Sequence, residues 1–429
     1  MPQNDTRFDS PIQPASQAFL RRRNGGGSKR WLAALPLVAV TCFTLGARAP
    51  AEMSSGESPE TIVASAEQEE GTWSIGKARD LLAVIEESAD EGLNPADYNV
   101  DGLRAAIEAK RKGPTLDALA TAAALRIAHD YADGRIEDKE ALDWHIEASA
   151  DTNRIAAGLT EALERDRLGQ WLRGLLPDNT QYGALKTAYA QAQGDEALRA
   201  QLRANLERWR WMPRDLGDRY IYVNVPSYRL SVMNNGVEEA GYNVVVGSPK
   251  TPTPQLALHA QSVVANPGWT VPQSIIKAGG TRGKGFRWTR RADGSVSVWQ
   301  APGPTNALGR IKIDMPNAHA IYLHDTPNHA VFSRANRALS HGCVRVENIQ
   351  ELAATLQGGG GDLDEALSQP GKTKTFQLEK SMPVYLVYFT AEVEADGSVR
   401  KVGDPYGRDR ALLAKLGPAA GRSIQVAAR

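Results

Sequence analysis

Cysteine is nearly absent from this 429-residue chain, which has only Cys42 and Cys343. Net charge is absent as well, since 50 Lys and Arg balance 50 Asp and Glu. The balance is uneven: residues 1–49 carry seven basic and two acidic side chains, leaving 43 against 48 in the body. A mildly acidic body excludes nucleic acid as the expected partner. The apolar run WLAALPLVAVTCFTLGA (31–47) is shorter than the roughly 20 residues of a membrane span. RRRNGGGSKR (21–30) precedes it and ARA (47–49) follows, the order of a secretory signal cleaved after Ala49. An uncleaved inner-membrane anchor through 31–47 is the alternative. Thr41 before Cys42 is a poor match to a lipoprotein site. Once the signal is removed, one cysteine remains and an internal disulfide is excluded.

What is present describes a soluble globular protein, 42% apolar and 23% charged, long enough for two or three domains. Residues 50–72 are polar, acidic and without periodicity, and read as a flexible leader. Residues 73–193 are helical in pattern, as in ARDLLAVIEESADEGL (78–93) and TLDALATAAALRIAHDYADGRI (115–136). Its His129 and His145 have no acidic or cysteine cluster beside them in sequence and read as packing. A connecting helix follows over 194–216, stopped by Pro213. From 217 the period changes to short β-branched runs, including RYIYVNV (219–225), YRLSVMN (228–234), AIYLHD (320–325) and VYLVYFT (384–390). The expected fold is α+β and multidomain: an all-helical N-terminal domain, then a mainly β domain over 217–409 with small helices such as NIQELAATL (348–356). The last stretch, 410–429, reads as a polar tail.

The chemistry concentrates at LSHGCVRVEN (339–348). A structural cysteine needs neither the preceding Ser340-His341-Gly342 nor the following Arg345. His324 closes a predicted strand fifteen residues before SHGC, placed to take the thiol proton so that the thiolate can attack. Gly342 allows a sharp turn, and the amides of 342 and 343 are candidates for an oxyanion hole. Arg345 falls on the side of Cys343 if the stretch is extended, and suits a substrate carboxylate. Zinc held by His324, His329, His341 and Cys343 is the competing reading. The H-x-C spacing is not a common zinc pair, and zinc leaves Arg345 unexplained beside a cation. His259, His319 and His329 read as loop residues. A thiol activated this way is expected to ionise below the range of a free thiol.

YLHD (322–325) and SHGCVR (340–345), with fifteen residues between His324 and Ser340, resemble the L,D-transpeptidase family with a YkuD-type catalytic domain. VNVPSYRL (223–230), VVVGSPKTPTP (244–254), NPGWTVPQSI (266–275) and PGPTNALGRIK (302–312) extend the likeness. EGLNPADY (91–98) and LLPDNTQYGALKTAY (175–189) resemble the scaffold domain of the larger, YcbB-like branch. The resemblance implies a β-sandwich catalytic domain and a periplasmic enzyme, without metal or cofactor. Cys343 would attack the third stem residue of a peptidoglycan tetrapeptide and release D-Ala. His324 would be the base, with Ser340, His341, Gly342 and Asp325 supporting the site and Arg345 and Tyr322 binding substrate. Passing the acyl group to a diaminopimelate amine gives a 3-3 cross-link, and carbapenems acylate the thiol in this family. Donor and acceptor stems are the implied partners, with cell-wall synthesis proteins as further ones. An L,D-carboxypeptidase and an inactive wall-binding scaffold are the alternatives. Two departures stand out: no room for a peptidoglycan-binding module between 193 and 206, and a short capping segment between 275 and 302, which implies an open site. Asp325 could orient His324 by its carboxylate or by its carbonyl.

Overall fold

The computed structural model describes residues 71–147, 152–281, 285–359 and 361–419. The basic segment, the apolar run and all but the end of the leader lie outside the described residues. At that end the Thr72 N–H donates to Asp117 Oδ2 at 2.9 Å.

The helical half begins with α1 (Ile75–Glu87), whose N-cap Ser74 accepts from the Lys77 N–H at 3.2 Å. Its buried Ala78, Leu81, Val84 and Ile85 recur at three- and four-residue steps, the stripe of a core-facing helix. Helices α2 (Val100–Glu108) and α3 (Pro114–Asp133) pack on that stripe, and α3 starts on a proline and stops at Gly134 with φ 78°. After a two-residue strand, β1 (Trp144–His145), come α4 (Thr152–Glu164), α5 (Leu168–Arg173) and α6 (Thr180–Gln191).

Helix α7 (Glu196–Trp211) is the hinge of the architecture, because every residue from Leu202 to Trp211 is buried. A helix buried on all sides must satisfy its polar residues internally. Glu207 does so by accepting from the Arg135 N–H (2.6 Å), the Ile136 N–H (3.0 Å), Trp211 Nε1 (3.0 Å) and Arg210 Nη2 (2.6 Å). The expected connecting helix is thus a shared core element rather than a spacer.

The β half contains β2 (Arg219–Asn224), β3 (Arg229–Asn234), β4 (Val237–Gly247) and β5 (Gln255–Ala265), with the Asn235-Gly236 turn between β3 and β4. A cap follows: β6 (Trp269–Thr270), α8 (Gln273–Lys277), β7 (Phe286–Arg290) and β8 (Val296–Gln300). The chain returns through β9 (Ile311–Asp314), β10 (Leu323–His324), β11 (Ala338–Ser340) and β12 (Val344–Val346). Helices α9 (Ile349–Gln357) and α10 (Gly361–Leu367) precede the long β13 (Lys374–Val387) and the hairpin β14 (Ala391–Val393) and β15 (Val399–Lys401).

Neighbouring strands run β5-β13-β2-β3-β4-β12-β10-β9, and β9 pairs back onto β5. The mainly β domain is therefore one sheet rolled until it closes, so the two faces of the expected sandwich are continuous. Closure leaves no free edge along that path. Alternate residues, among them Val223, Leu230, Val244, Leu323, Val344 and Leu386, fill the interior, with α9 and α10 packed on the same core. The outer face of β2 and β13 presents Tyr220, Tyr385 and Val387 to Trp209 and Trp211 of α7. All these elements belong to one compact unit.

The expected tail from 410 needs correction. Residues Arg408–Leu416 form α11, which buries Leu412 and Leu416, spaced four apart, against α7 before ending at Gly417. Its charged residues mask an apolar stripe one side chain wide.

Candidate active site

Strands β10 and β12 run parallel, with Leu323 opposite Val344 and His324 opposite Arg345. Because side chains alternate, Leu323 and Val344 point into the core while their neighbours point out. The Val344 N–H donates to the Tyr322 carbonyl at 3.2 Å, which sets Tyr322 beside Cys343. Tyr322, His324, Cys343 and Arg345 thus form a two-by-two array on the outer face. They line one cavity of about 640 Å³.

The turn carrying the cysteine is held from both sides. Buried Ser340 donates from Oγ to the Cys343 carbonyl at 2.6 Å and accepts from the Gly342 N–H at 3.1 Å. Thr253 Oγ1 donates to the Gly342 carbonyl at 2.7 Å and accepts from the Gly247 N–H at 2.9 Å. Gly342 has φ 112°, a conformation that glycine alone adopts cheaply. Since the Gly342 N–H is spent on Ser340, the expected oxyanion pair is reduced to the Cys343 N–H. His341 is exposed at the cavity rim.

His324 is buried, and its Nδ1 donates to the Asp325 carbonyl at 2.5 Å. That contact leaves Nε2 as the basic nitrogen. The Asp325 carboxylate turns away, accepting from the Arg310 N–H at 2.8 Å and lying 3.6 Å from His329 Nε2. Asp325 therefore orients the imidazole through its carbonyl. Burial, then the Arg345 charge, pulls the His324 pKa down to about 3. Cys343 Sγ faces the Ala320 carbonyl at 3.5 Å, and burial pushes its pKa up. The Tyr322 N–H and hydroxyl and the charges of Lys312 and Arg345 oppose that shift without overcoming it. The resting pair is a neutral thiol and a neutral imidazole. The direction is opposite to the expectation of a thiol ionised below the ordinary range, because desolvation outweighs the neighbouring cations.

The Arg345 guanidinium makes no hydrogen bond or ion pair with a described residue, and its Nε is buried without a partner. An unpaired, half-buried guanidinium lining a cavity is a site for a carboxylate from elsewhere.

Residues 218–385 match the family model for the YkuD L,D-transpeptidase catalytic domain, and residues 68–188 match the Scaffold domain. The chain carries a YkuD-type L,D-transpeptidase catalytic domain behind a Scaffold domain. The order of scaffold and catalytic domain is consistent with the YcbB-like branch. A Haemophilus influenzae protein named as a candidate L,D-transpeptidase is 30% identical over 289 residues, 58% of this chain and 57% of its own length. The chain thus spans a little over half of that relative. Among solved structures, the E. faecium L,D-transpeptidase catalytic domain acylated by ertapenem aligns with 40% of this chain and 97% of its own, at 14% identity and TM-score 0.23. L,D-transpeptidase 1 of Mycobacterium tuberculosis covers 40% and 61%, at 16% identity and TM-score 0.20.

In this transpeptidase domain the zinc reading finds no support in placement, for His329 is exposed and contacts Asp325 rather than the thiol. Residues of the short cap line the cavity. Trp269, Ile275 and Phe286 wall it, and Trp269 Nε1 donates to the Tyr322 hydroxyl at 3.1 Å. Sequence reasoning missed Thr253, which lies in the quoted VVVGSPKTPTP, and the Ala320 carbonyl. It also passed over His319, which lines the cavity and packs on His145 of β1 at 4.7 Å between ring centroids.

Proposed function

We propose that the protein is an exported peptidoglycan L,D-transpeptidase that forms 3-3 cross-links through an acyl-enzyme on Cys343. The observation that carries this reading is the array of a thiol, an imidazole with free Nε2 and an unpaired guanidinium in one walled cavity. Arg345 holds a stem carboxylate. As Sγ attacks the third-residue carbonyl, the thiol proton passes to His324 Nε2, and the oxyanion is met by the Cys343 N–H and the Tyr322 hydroxyl. The C–N bond then breaks, and His324 returns the proton to the departing D-Ala amine. A diaminopimelate amine attacks the thioester, gives up a proton to His324, and the thiol is regenerated.

The neutral resting pair supports proton transfer in concert with attack rather than a standing thiolate. The aromatic walls of the cap favour an amine over water as acceptor, since excluding water protects the acyl-enzyme. Residues 31–47 either direct export to the periplasm and are removed or remain as an inner-membrane anchor, where cell-wall synthesis proteins are the natural partners.

The test is mass analysis of disaccharide-tetrapeptide incubated with protein from residue 50 onward and with Cys343→Ala. A dimer lighter than two monomers by one D-Ala and the water lost in joining supports transpeptidation. Tripeptide alone would make the enzyme a carboxypeptidase. Release of D-Ala by the alanine variant would overturn the nucleophile.

A further inference from the structure

Joining an amine to a thioester sets a proton problem that Cys343 and His324 do not solve between them. Near neutral pH a primary amine is an ammonium ion, with no lone pair to attack with. It must lose one proton before the C–N bond forms and a second as it forms. His324 serves the second, being neutral again once D-Ala has left. It is a poor holder of the first, because burial and then the Arg345 charge both oppose its charged form.

The cavity wall beside the sulfur offers another place. Residues 317–320 lie in the loop between β9 and β10, where Asn317 Oδ1 accepts from the Ile321 N–H at 3.2 Å and Nδ2 donates to the Ile321 carbonyl at 2.7 Å. Ala320 takes φ 53°, a left-handed conformation that is uncommon for a residue with a Cβ. Its carbonyl faces Cys343 Sγ at 3.5 Å and accepts from the resting thiol. In an acyl-enzyme the sulfur has no proton to give. The carbonyl is then an open acceptor beside the thioester, and an ammonium N–H suits it.

His319 immediately precedes that carbonyl, is exposed and lines the same cavity. Behind it stands His145 of β1, with ring centroids 4.7 Å apart at 45°. His145 Nε2 lies 3.0 Å from Asp143 Oδ1, and Asp143 pairs in turn with Arg408 of α11. One side of the His319 ring is thus held by the scaffold, and the other is open to the cavity and to water. An imidazole so placed keeps its hydration when it takes up a proton, as buried His324 does not. The His341 ring also borders the cavity, yet it makes no hydrogen bond or ring contact with a described residue.

We infer that residues 319 and 320 form the acceptor-amine site: the Ala320 carbonyl receives a primary alkylammonium, and His319 takes its first proton. One N–H bond breaks toward His319 and leaves the free amine. Its lone pair then forms the C–N bond, His324 Nε2 takes the second proton, and the C–S bond breaks. His324 returns that proton to the departing sulfur, which regenerates the thiol, while His319 releases the first proton to water. This role rests on the transpeptidase reading, whereas the place of the loop beside the sulfur does not.

The experiment incubates disaccharide-tetrapeptide and methoxyamine together with the protein from residue 50 onward and with His319→Gln. Mass analysis then counts two amides drawn from one acyl-enzyme. The dimer comes from a stem ammonium, whereas methoxyamine is already neutral at pH 7, and the ratio of the two does not depend on how fast the thioester forms. His319→Gln should lower dimer relative to methoxyamide at least tenfold at pH 7, since a positioned base contributes about 10²–10⁴. The deficit should shrink at pH 9, where more of the stem amine is free. An unchanged ratio at pH 7, including an equal loss of both amides, or a deficit as large at pH 9, overturns the role of His319. Wild-type protein that yields methoxyamide but no dimer overturns the acceptor site and keeps the acyl-enzyme. Tripeptide alone from the wild type removes the transpeptidase reading, and the acceptor site falls with it.

Discussion

Ser340→Ala probes the turn that presents the nucleophile, because one hydroxyl serves both of its ends. Oγ accepts from the Gly342 N–H and donates to the Cys343 carbonyl, and Ser340 is 2% exposed. Alanine fits the space but strands both backbone groups. Each lost hydrogen bond costs about 1 kcal/mol, rising to 1–3 where the stranded group is sealed from water. The N–H is buried and the carbonyl partly so, which gives about 2–4 kcal/mol in total. Unfolding entropy of about 2.1 cal/mol/K per residue over roughly 340 residues converts this to about 3–6 °C in melting temperature. Calorimetry reads that shift, and mass spectrometry reads carbapenem acylation, which should slow because the sulfur and the Cys343 N–H lose their common frame. Ser340→Thr keeps the hydroxyl and should recover both. A Ser340→Ala protein that melts and acylates like the wild type would refute the reasoning.

With a neutral thiol and imidazole at rest, iodoacetamide alkylation of Cys343 should climb about tenfold per pH unit from 6 to 8; a plateau below pH 7 would show a standing ion pair. Unfolded His324 takes up a proton below its ordinary 6.5, whereas folded His324 does so only near 3, so denaturant titrations should show stability falling as pH drops through that window, and less steeply in His324→Gln. Arg345→Met should lower kcat/KM for tetrapeptide about ten- to hundredfold, the worth of a charged hydrogen bond, with a smaller effect on alkylation; equal losses would make Arg345 a structural residue. Glu207→Ala leaves Arg210 buried beside an empty acceptor and should cost about 3–5 kcal/mol in denaturant unfolding; a cost under 1 kcal/mol would remove Glu207 as the anchor of α7.

The parts of the site legible in the sequence were those written within a few residues. Ser340-His341-Gly342-Cys343, with fifteen residues between it and His324, is local enough to suggest a thiol and its base. Its electrostatics were not legible. Whether cations or desolvation govern Cys343 depends on burial, and burial comes from the parallel pairing of β10 with β12 that no local pattern encodes. The strand predicted over 320–325 shrinks to Leu323–His324 because Ala320 takes φ 53° and turns its carbonyl toward the sulfur. Thr253 was invisible for a related reason: it braces Gly342 from 89 residues away. Helix α11 hid behind its Arg and Lys residues, since Leu412 and Leu416 gain meaning only once α7 lies beneath them.

Strand β1 bears on how this protein can be cut. Trp144 and His145 come from the helical half, yet they pair in parallel with Gln255 and Leu256 of β5, and Gln255 Nε2 donates to the Leu142 carbonyl at 3.1 Å. The scaffold therefore contributes a piece of the catalytic sheet and, through His145 on His319, part of the backing of its cavity. A fragment starting near 217 would lose that pairing and bare Tyr220, Tyr385 and Phe389 to water. The catalytic half is consequently not a portable module. The register of its sheet includes a partner more than a hundred residues upstream, in the helical half.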